Sequence, residues 1–220
     1  MIKIEKAETY GWEAAIRGMR NPMNSWDKID SKWDGFGEAD GFSIGNNDIA
    51  LMKKLCKAGT DHRKFMRMIA VYVDVTAPLY WWKEYDTYKV GTVVNSCSTM
   101  HKIHEKEFTF EDFSYDKLYS DYDAEDLGSI ELLNLIITAL NRYRERYLQT
   151  KDKDDWYQII QLLPSSYNQK RTLMLNYEVL ANIYKSRKNH KLDEWRTFCE
   201  WIETLPYSEI ITGGEPNDNP

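Results

Sequence analysis

Apolar and polar residues alternate over residues 1–9, MIKIEKAET, which predicts a half-buried strand, and Trp12 to Met19 follow as a short helix. The pattern then lapses. From Asn21 to Asn47 the chain is rich in Gly, Asp and Asn with scattered aromatics, which predicts a long loop. Such a loop is either a lid over a site or an ordered excursion pinned by Trp26, Trp33 and Phe36. Helical spacing returns at Asp48, where Ile49, Leu51, Met52, Leu55 and Cys56 form an apolar stripe that Gly59 ends. The β-branched run MRMIAVYVDVTAP predicts a strand stopped by Pro78, LYWWKEYDTYK a helix, and VGTVVNSCSTM another strand.

Residues 105–128 are polar and aromatic, again loop-like. The clearest helix is SIELLNLIITALNRYRERYLQ, with Ile130, Leu133, Ile137 and Leu140 on one stripe, Leu132 and Ile136 beside it, and Arg142, Arg144 and Arg146 at a basic end suited to a helix C-terminus. KDDWYQIIQLL predicts a further helix. After the break at Pro164 come a short strand, RTLMLN, and a helix, YEVLANIYKSRK, with Asn176 at its cap position. A last helix, LDEWRTFCEWIETLP, is closed by Pro206, residues 206–220 are expected as a C-terminal tail, and its end, GGEPNDNP, is expected to fray. The whole predicts one domain over residues 1–205 with a Gly/Asp-rich loop at 21–47.

Charge narrows the partners. A net charge of −6 gives no basic field for a nucleic-acid duplex, so an anionic ligand needs a local cluster of Arg and Lys. Cys56, Cys97 and Cys199 are odd in number and far apart, which fits a reducing compartment and argues against disulfides or a zinc knuckle. No apolar run approaches the ~18 residues of a membrane span, and no signal peptide is evident. The expected location is the cytoplasm, with no membrane and no nucleic-acid partner. Aromatics reach 14%, with eight Trp and fifteen Tyr, so flat faces either pack a core or stack on ring ligands.

Glycine-rich phosphate loops, CxxC, HExxH and GxSxG are all absent. His101 and His104 stand three apart without a third ligand at natural spacing, so no metal is expected. Asp61, His62 and Arg63 follow the Gly59 stop, either as loop residues or as polar groups aimed at a ring or phosphate. Trp81, Trp82, Tyr85 and Tyr88 are spaced to stack on a flat cofactor or to form an aromatic core helix. At 100° per residue Asn176, Leu180, Ile183 and Arg187 share one stripe. Residue physics alone makes Asn176 a cap and Arg187 a match to the helix dipole, with ligand binding the alternative.

The segment from Pro164 to Arg196 resembles the C-terminal signature of the flavin-dependent thymidylate synthases, the ThyX family. Leu163-Pro164, Asn176 twelve residues after the Pro, Asn182 six later and Arg187 eleven after Asn176 keep that family's offsets, and Glu194-Trp195-Arg196 matches its closing triplet with one residue deleted. His62, Phe65 and Ala77-Pro78 resemble the family's mid-chain opening, while Asn95 and Ser98 resemble its tail. The departures are as plain. Thr87-Tyr88-Lys89 stands where the family has RHR, Glu84 where it has Gln, and Glu178 where it has Arg.

The resemblance implies a ThyX-like α/β (α+β) fold, an antiparallel sheet with packed helices, assembled as a homotetramer. It implies a divergent enzyme binding FAD and a pyrimidine nucleotide, with dUMP methylated from methylenetetrahydrofolate and NADPH as reductant. Arg187 would be catalytic and contact substrate together with Ser98 and Glu84. His62, Lys89, Asn95, Asn176 and Asn182 would hold the cofactor. Lys83, Lys89, Lys102 and Arg171 are candidates to replace lost phosphate contacts, which Lys reproduces poorly and Glu178 would oppose. The alternative is a non-catalytic descendant serving as a nucleotide-binding or protein-interaction module.

Overall fold

The computed structural model describes residues 2–39, 41–120 and 127–213. In chain order it contains β1 (Lys3–Tyr10), α1 (Trp12–Arg20), β2 (Lys32–Gly37), β3 (Gly41–Ser43), α2 (Asn46–Lys57), β4 (Ala70–Pro78), α3 (Leu79–Tyr85), β5 (Val93–Ser96), α4 (Ser129–Thr150), α5 (Lys153–Leu162), β6 (Asn168–Asn176), α6 (Tyr177–Arg187), α7 (Asp193–Glu203) and α8 (Glu209–Thr212). Short 3-10 turns lie at Asn21–Met23, Trp26–Lys28, Lys64–Met68 and Phe110–Asp112. Four strands form a sheet in the order β1-β4-β6-β5, and β2 pairs with β3 in an antiparallel hairpin. The expected mixture of helices and antiparallel sheet is therefore present.

The chain divides into two compact units. One holds Thr76–Asp86 and Ser96–Arg171 with the first residues; the other holds Ile4–Val75, Thr87–Asn95 and the chain from Thr172 on.

In the first unit α4 packs on α5, and Ile103, Phe108, Phe113, Leu133, Ile137, Leu140 and Ile159 form a core cluster. Leu132, expected beside the buried stripe, is half exposed. The basic end of α4 differs from expectation as well. The helix runs one turn beyond Arg146, so Arg144 donates to the carbonyls of His104 and Glu105, and Arg146 pairs with Asp155 at 3.2 Å. These guanidiniums tie neighbouring segments together instead of facing their own helix terminus. On α3, Trp81, Trp82 and Tyr85 are wholly buried, with Tyr85 stacked on Trp81 at 5.3 Å. Each such aromatic removes enough surface from water for roughly 4–6 kcal/mol of gross burial free energy. The three are a core, which settles the choice between core and cofactor stacking for them.

In the second unit β4 buries Val71, Val73 and Val75 on one face while Tyr72 faces outward, the two-residue period of a strand with one wet side. The described residues of the loop expected over 21–47, all but Asp40, include β2 and β3. Of the expected aromatic pins, Phe36 is 93% exposed, while the half-exposed indoles fasten the loop only at its surface, Trp33 donating to Glu13 Oε2 at 3.1 Å and lying 5.0 Å from Phe42, and Trp26 donating to Asn21 Oδ1 at 2.8 Å. Carboxylates hold it. Asp48, fully buried, accepts from Arg20 Nε at 2.7 Å, from the backbone N–H groups of Asp30 and Ser31 at 3.1 Å each, and from Ser31 Oγ at 2.6 Å. Asp30 in turn accepts from the backbone of Asn47 and Asp48, so it caps the start of α2 across the loop. The expected C-terminal tail beyond Leu205 begins with packed residues. Tyr207 packs on Trp12 at 5.4 Å, and α8 buries Ile210 and Ile211; residues 214–220 lie outside the described residues.

Candidate functional site

The turn from β6 into α6 organises the second unit. Pro164 ends α5's course, the strand carries Leu173 and Leu175 inward, and Asn176 turns the chain into α6 by accepting the Val179 N–H at 3.0 Å. Capping by a short polar side chain satisfies a donor that has no partner inside the helix. Helix α6 is buried on most sides, including Tyr177, Val179, Leu180, Ala181, Ile183 and Tyr184, and packs against α7 and α8. Its polar residues Asn182 and Arg187 are thus set on a rigid support.

The loop after α3 folds onto this helix at both ends. Near the C-terminal end, Arg187 Nε donates to the Tyr88 hydroxyl at 3.0 Å. The same guanidinium lies 4.7 Å from the Trp195 ring centroid and 5.8 Å from that of Tyr88. Cation–π contact with two rings and one hydrogen bond fix its plane. Near the other end Gly91 has φ +75°, and a Cβ there would stand 3.0 Å from Asn176 Nδ2, so this close approach requires a glycine. Thr92 Oγ1 donates to the Tyr88 carbonyl at 2.6 Å and closes the loop. The structure therefore brings Asn176 and Arg187 together with the loop that carries Lys89, whose own side chain is exposed.

Glu178, expected to oppose an anionic ligand, is buried and neutralised. Arg63 meets it through Nε at 2.9 Å and donates from Nη2 to its Oε1 at 3.2 Å, and Nη2 also donates to Asn182 Oδ1 at 3.3 Å. The charge reversal at Glu178 is matched by a guanidinium arriving from a different element. Arg63, not His62, is thus the member of the Asp61-His62-Arg63 triplet that joins this constellation; His62 is exposed. Asn95 lies exposed on β5.

Glu84 and Ser98 belong to the other unit. There Ser98 Oγ accepts from the backbone N–H groups of Met100 and His101, at 3.2 and 2.8 Å, and closes a turn. Two of the candidate phosphate replacements are committed elsewhere. Arg171 pairs with Asp86 at 2.7 Å and lies 4.2 Å over Trp82, while Lys102 pairs with Glu105. Lys83 and Lys89 stay exposed. Among the described residues, no group of three or more His, Cys, Asp or Glu is placed to hold a metal ion. His104 packs instead against Tyr147 at 4.8 Å.

Chemically the constellation offers a fixed cation, two amides and an aromatic wall. The nearby thiols are not nucleophiles at neutral pH, because burial pushes Cys56 up to about 11 and Cys199 up to about 12.

No family model matches the chain, and no curated protein matches it. Solved structures do. A ThyX thymidylate synthase from Helicobacter pylori, with FAD and dUMP, superposes with a TM-score of 0.67 at 13% identity, covering 96% of this chain and 97% of that one. The chain has the ThyX fold. A second structure of the H. pylori enzyme, complexed with FAD and dUMP, gives 0.65 at 14% identity over 94% and 97%. The UMP/dUMP methylase PolB from Streptomyces cacaoi, bound with 5-Br dUMP, gives 0.59 at 14% identity over 97% and 94%. Similarity at this level of identity concerns the ThyX backbone plan and not the ligands. No helix of the described residues is long and apolar enough to cross a membrane.

Proposed function

We propose that this ThyX-fold protein binds a pyrimidine nucleotide of the dUMP type at α6 and the loop 87–92, together with FAD, as a divergent flavin-dependent thymidylate synthase-like enzyme. The observation that carries the reading is the fixed guanidinium of Arg187, hydrogen-bonded to Tyr88 and packed on Trp195. A cation held in one orientation before ligand arrives stabilises negative charge developing on a ring carbonyl oxygen without reorganising. Asn176 and Asn182 keep amide Nδ2 groups that no acceptor among the described residues takes, which suits them to orient carbonyl-bearing rings. Lys89, exposed on the same loop, would meet the phosphate.

One obstacle to a flavin at these residues is absent. The carboxylate of Glu178, the group that would repel an anionic cofactor, is already paired with Arg63 and 6% exposed. When bound, FAD would supply hydride transfer, with NADPH as reductant and methylenetetrahydrofolate as methylene donor. Assembly as a homotetramer in the cytoplasm completes the proposal, and a light-scattering mass of four chains tests the assembly.

A second reading has its own support. The hairpin of β2 and β3 exposes Trp33 and Phe36, a surface suited to a protein partner in a non-catalytic descendant. The absorbance spectrum separates the two. Oxidised-flavin bands in the purified protein, or a shifted flavin spectrum on adding FAD, support the enzyme. A colourless protein that leaves the spectrum of added FAD unchanged sinks the FAD assignment.

A further inference from the structure

Positive charge is concentrated in one short stretch of the second unit. Between Lys53 and Arg67, six of fifteen residues are Lys or Arg and one, Asp61, is acidic, in a chain whose net charge is −6. Two of the six are committed internally: Lys53 shares Glu209 at 3.4 Å, and Arg63 is held by Glu178 and Asn182. Lys54, Lys57, Lys64 and Arg67 are exposed, and none has an acidic partner among the described residues. Local geometry aligns them in pairs. Lys54 and Lys57 stand three apart on α2, on the side away from buried Asp48 and Met52. Lys64 and Arg67 stand three apart on the 3-10 turn Lys64–Met68, where side chains at that spacing eclipse, away from buried Phe65 and Met66. Cys56 Sγ lies 3.5 Å from Met66 Sδ and ties the last turn of α2 to this turn. Neighbouring like charges repel, and an anion laid along them relieves the repulsion.

The 3-10 turn ends beside exposed aromatic surface. Met68 packs so closely on Gly11 that a Cβ there would stand 2.2 Å from the Met68 carbonyl oxygen, which sets Tyr10 next to the turn. Tyr10 and Tyr72 are 51% and 41% exposed, with ring centroids 6.0 Å apart. Two acids lie at this end. Glu8 accepts from the Tyr10 hydroxyl at 3.1 Å, so its carboxylate stands at the ring's edge and not over its face. Asp74 accepts from Thr172 Oγ1 at 2.7 Å and lies 3.9 Å from the Lys6 ammonium. A row of cations leading to exposed rings suits a phosphodiester backbone with unpaired bases, because Lys and Arg take the phosphates while any base can stack on Tyr. An acidic protein segment would use the cations alone, and a duplex keeps its base faces stacked inside.

We propose that this surface binds a single-stranded nucleic acid, with phosphates on Lys54, Lys57, Lys64 and Arg67 and bases on Tyr10 and Tyr72. The net charge, from which no nucleic-acid partner was expected, denies the chain a long-range attractive field but leaves this local cluster in place.

Fluorescence anisotropy of a fluorescein-labelled oligo(dA) of about 15 nucleotides, titrated with the full chain, is the test; a purine strand keeps the proposed pyrimidine site out of the measurement. Saturable binding is expected, with the logarithm of the association constant falling against that of salt concentration at a slope of about −3, as four phosphate contacts on a single strand give. The double variant Lys54→Ala/Lys57→Ala should halve the slope to about −1.5. Tyr72→Ala should weaken binding at least ~5-fold at an unchanged slope, because stacking releases no counterions. All three side chains are exposed, and unchanged thermal unfolding curves verify that the variants keep the fold. The proposal is overturned by the absence of saturable binding, by an unchanged slope in the lysine variant, by full affinity in Tyr72→Ala, or by a DNA duplex of the same length binding as tightly. Displacement by poly-L-glutamate as effective as by unlabelled oligo(dA) also overturns it and makes the partner an acidic protein.

Discussion

Replacing Asp48 by Ala removes the group on which residues 20 to 48 converge. The carboxylate is fully buried and faces a guanidinium whose side chain is 4% exposed, with Arg20 Nη2 at 2.6 Å and Nε at 2.7 Å. Removing one partner of such a pair leaves a buried charge without compensation, at a cost of ~3–5 kcal/mol. The backbone N–H groups of Asp30 and Ser31 lose their acceptor too, and each costs ~1–3 kcal/mol where water does not reach it. These two groups lie nearer the surface, so ~4 kcal/mol is a fair floor for the sum. At ~2–4 °C per kcal/mol for a chain of this size, Tm falls by ~8–16 °C. Differential scanning calorimetry of Asp48→Ala, Arg20→Ala and the double variant reads both the loss and the coupling, which should reach ~2 kcal/mol. A Tm within ~3 °C of the unmodified protein for Asp48→Ala would refute the argument that this carboxylate holds the loop.

Three further outcomes follow from particular contacts. Burial alone would raise the Asp30 carboxyl, but the backbone N–H groups of Asn47 and Asp48 hold it below the usual carboxylate value. A depressed pKa contributes stability above the unfolded value of ~3.9 that is lost as pH falls through the folded one. The stability difference between the unmodified protein and Asp30→Asn, from urea unfolding, should therefore stay level from pH 7 to ~5 and shrink below ~4; a difference constant to pH ~3 contradicts it. Gly91→Ala puts a Cβ on a left-handed backbone and 3.0 Å from Asn176 Nδ2, so stability should fall by ~1–2 kcal/mol, and an unchanged or raised urea midpoint speaks against the close approach. Iodoacetamide at pH 7.5, followed by peptide mass spectrometry, should label exposed Cys97 well before Cys56 and Cys199, whose thiols burial pushes up; equal rates at Cys56 would contradict its placement.

Most of the elements were legible from periodicity, because strands β4 and β6 and helices α1, α2 and α4 each bury one face, whereas β1 buries only Thr9 and α6 is buried on most sides. The Asn176 cap was legible for the same reason: it depends on residues within one turn. What local pattern does not carry is pairing across the chain. Asp30 and Asp48 look like ordinary loop and helix-start carboxylates, and only the fold joins them to Arg20. The aromatics of residues 21–47 gave a partial signal: the Trp33 and Trp26 indoles fasten the loop at its surface, Phe36 is exposed, and the buried anchors are carboxylates. At the candidate site, Glu178 read alone is a charge reversal. Its partner Arg63 lies 115 positions earlier, beyond the reach of any local pattern. The Arg187–Tyr88 contact spans 99 positions, although the alignment of Thr87-Tyr88-Lys89 with a ligand-binding triplet pointed to that loop.

The central claim is that Arg187, fixed by Tyr88 and Trp195, forms a pyrimidine nucleotide site on α6. Titration of dUMP into the full chain, followed by calorimetry and by tryptophan fluorescence, tests it most directly. The account predicts saturable binding in the unmodified protein and a loss of ~30-fold in Arg187→Ala, about the 2 kcal/mol of one charge-assisted contact, with Tm within ~5 °C. Absence of binding at millimolar dUMP, or equal affinity in Arg187→Ala, would contradict it.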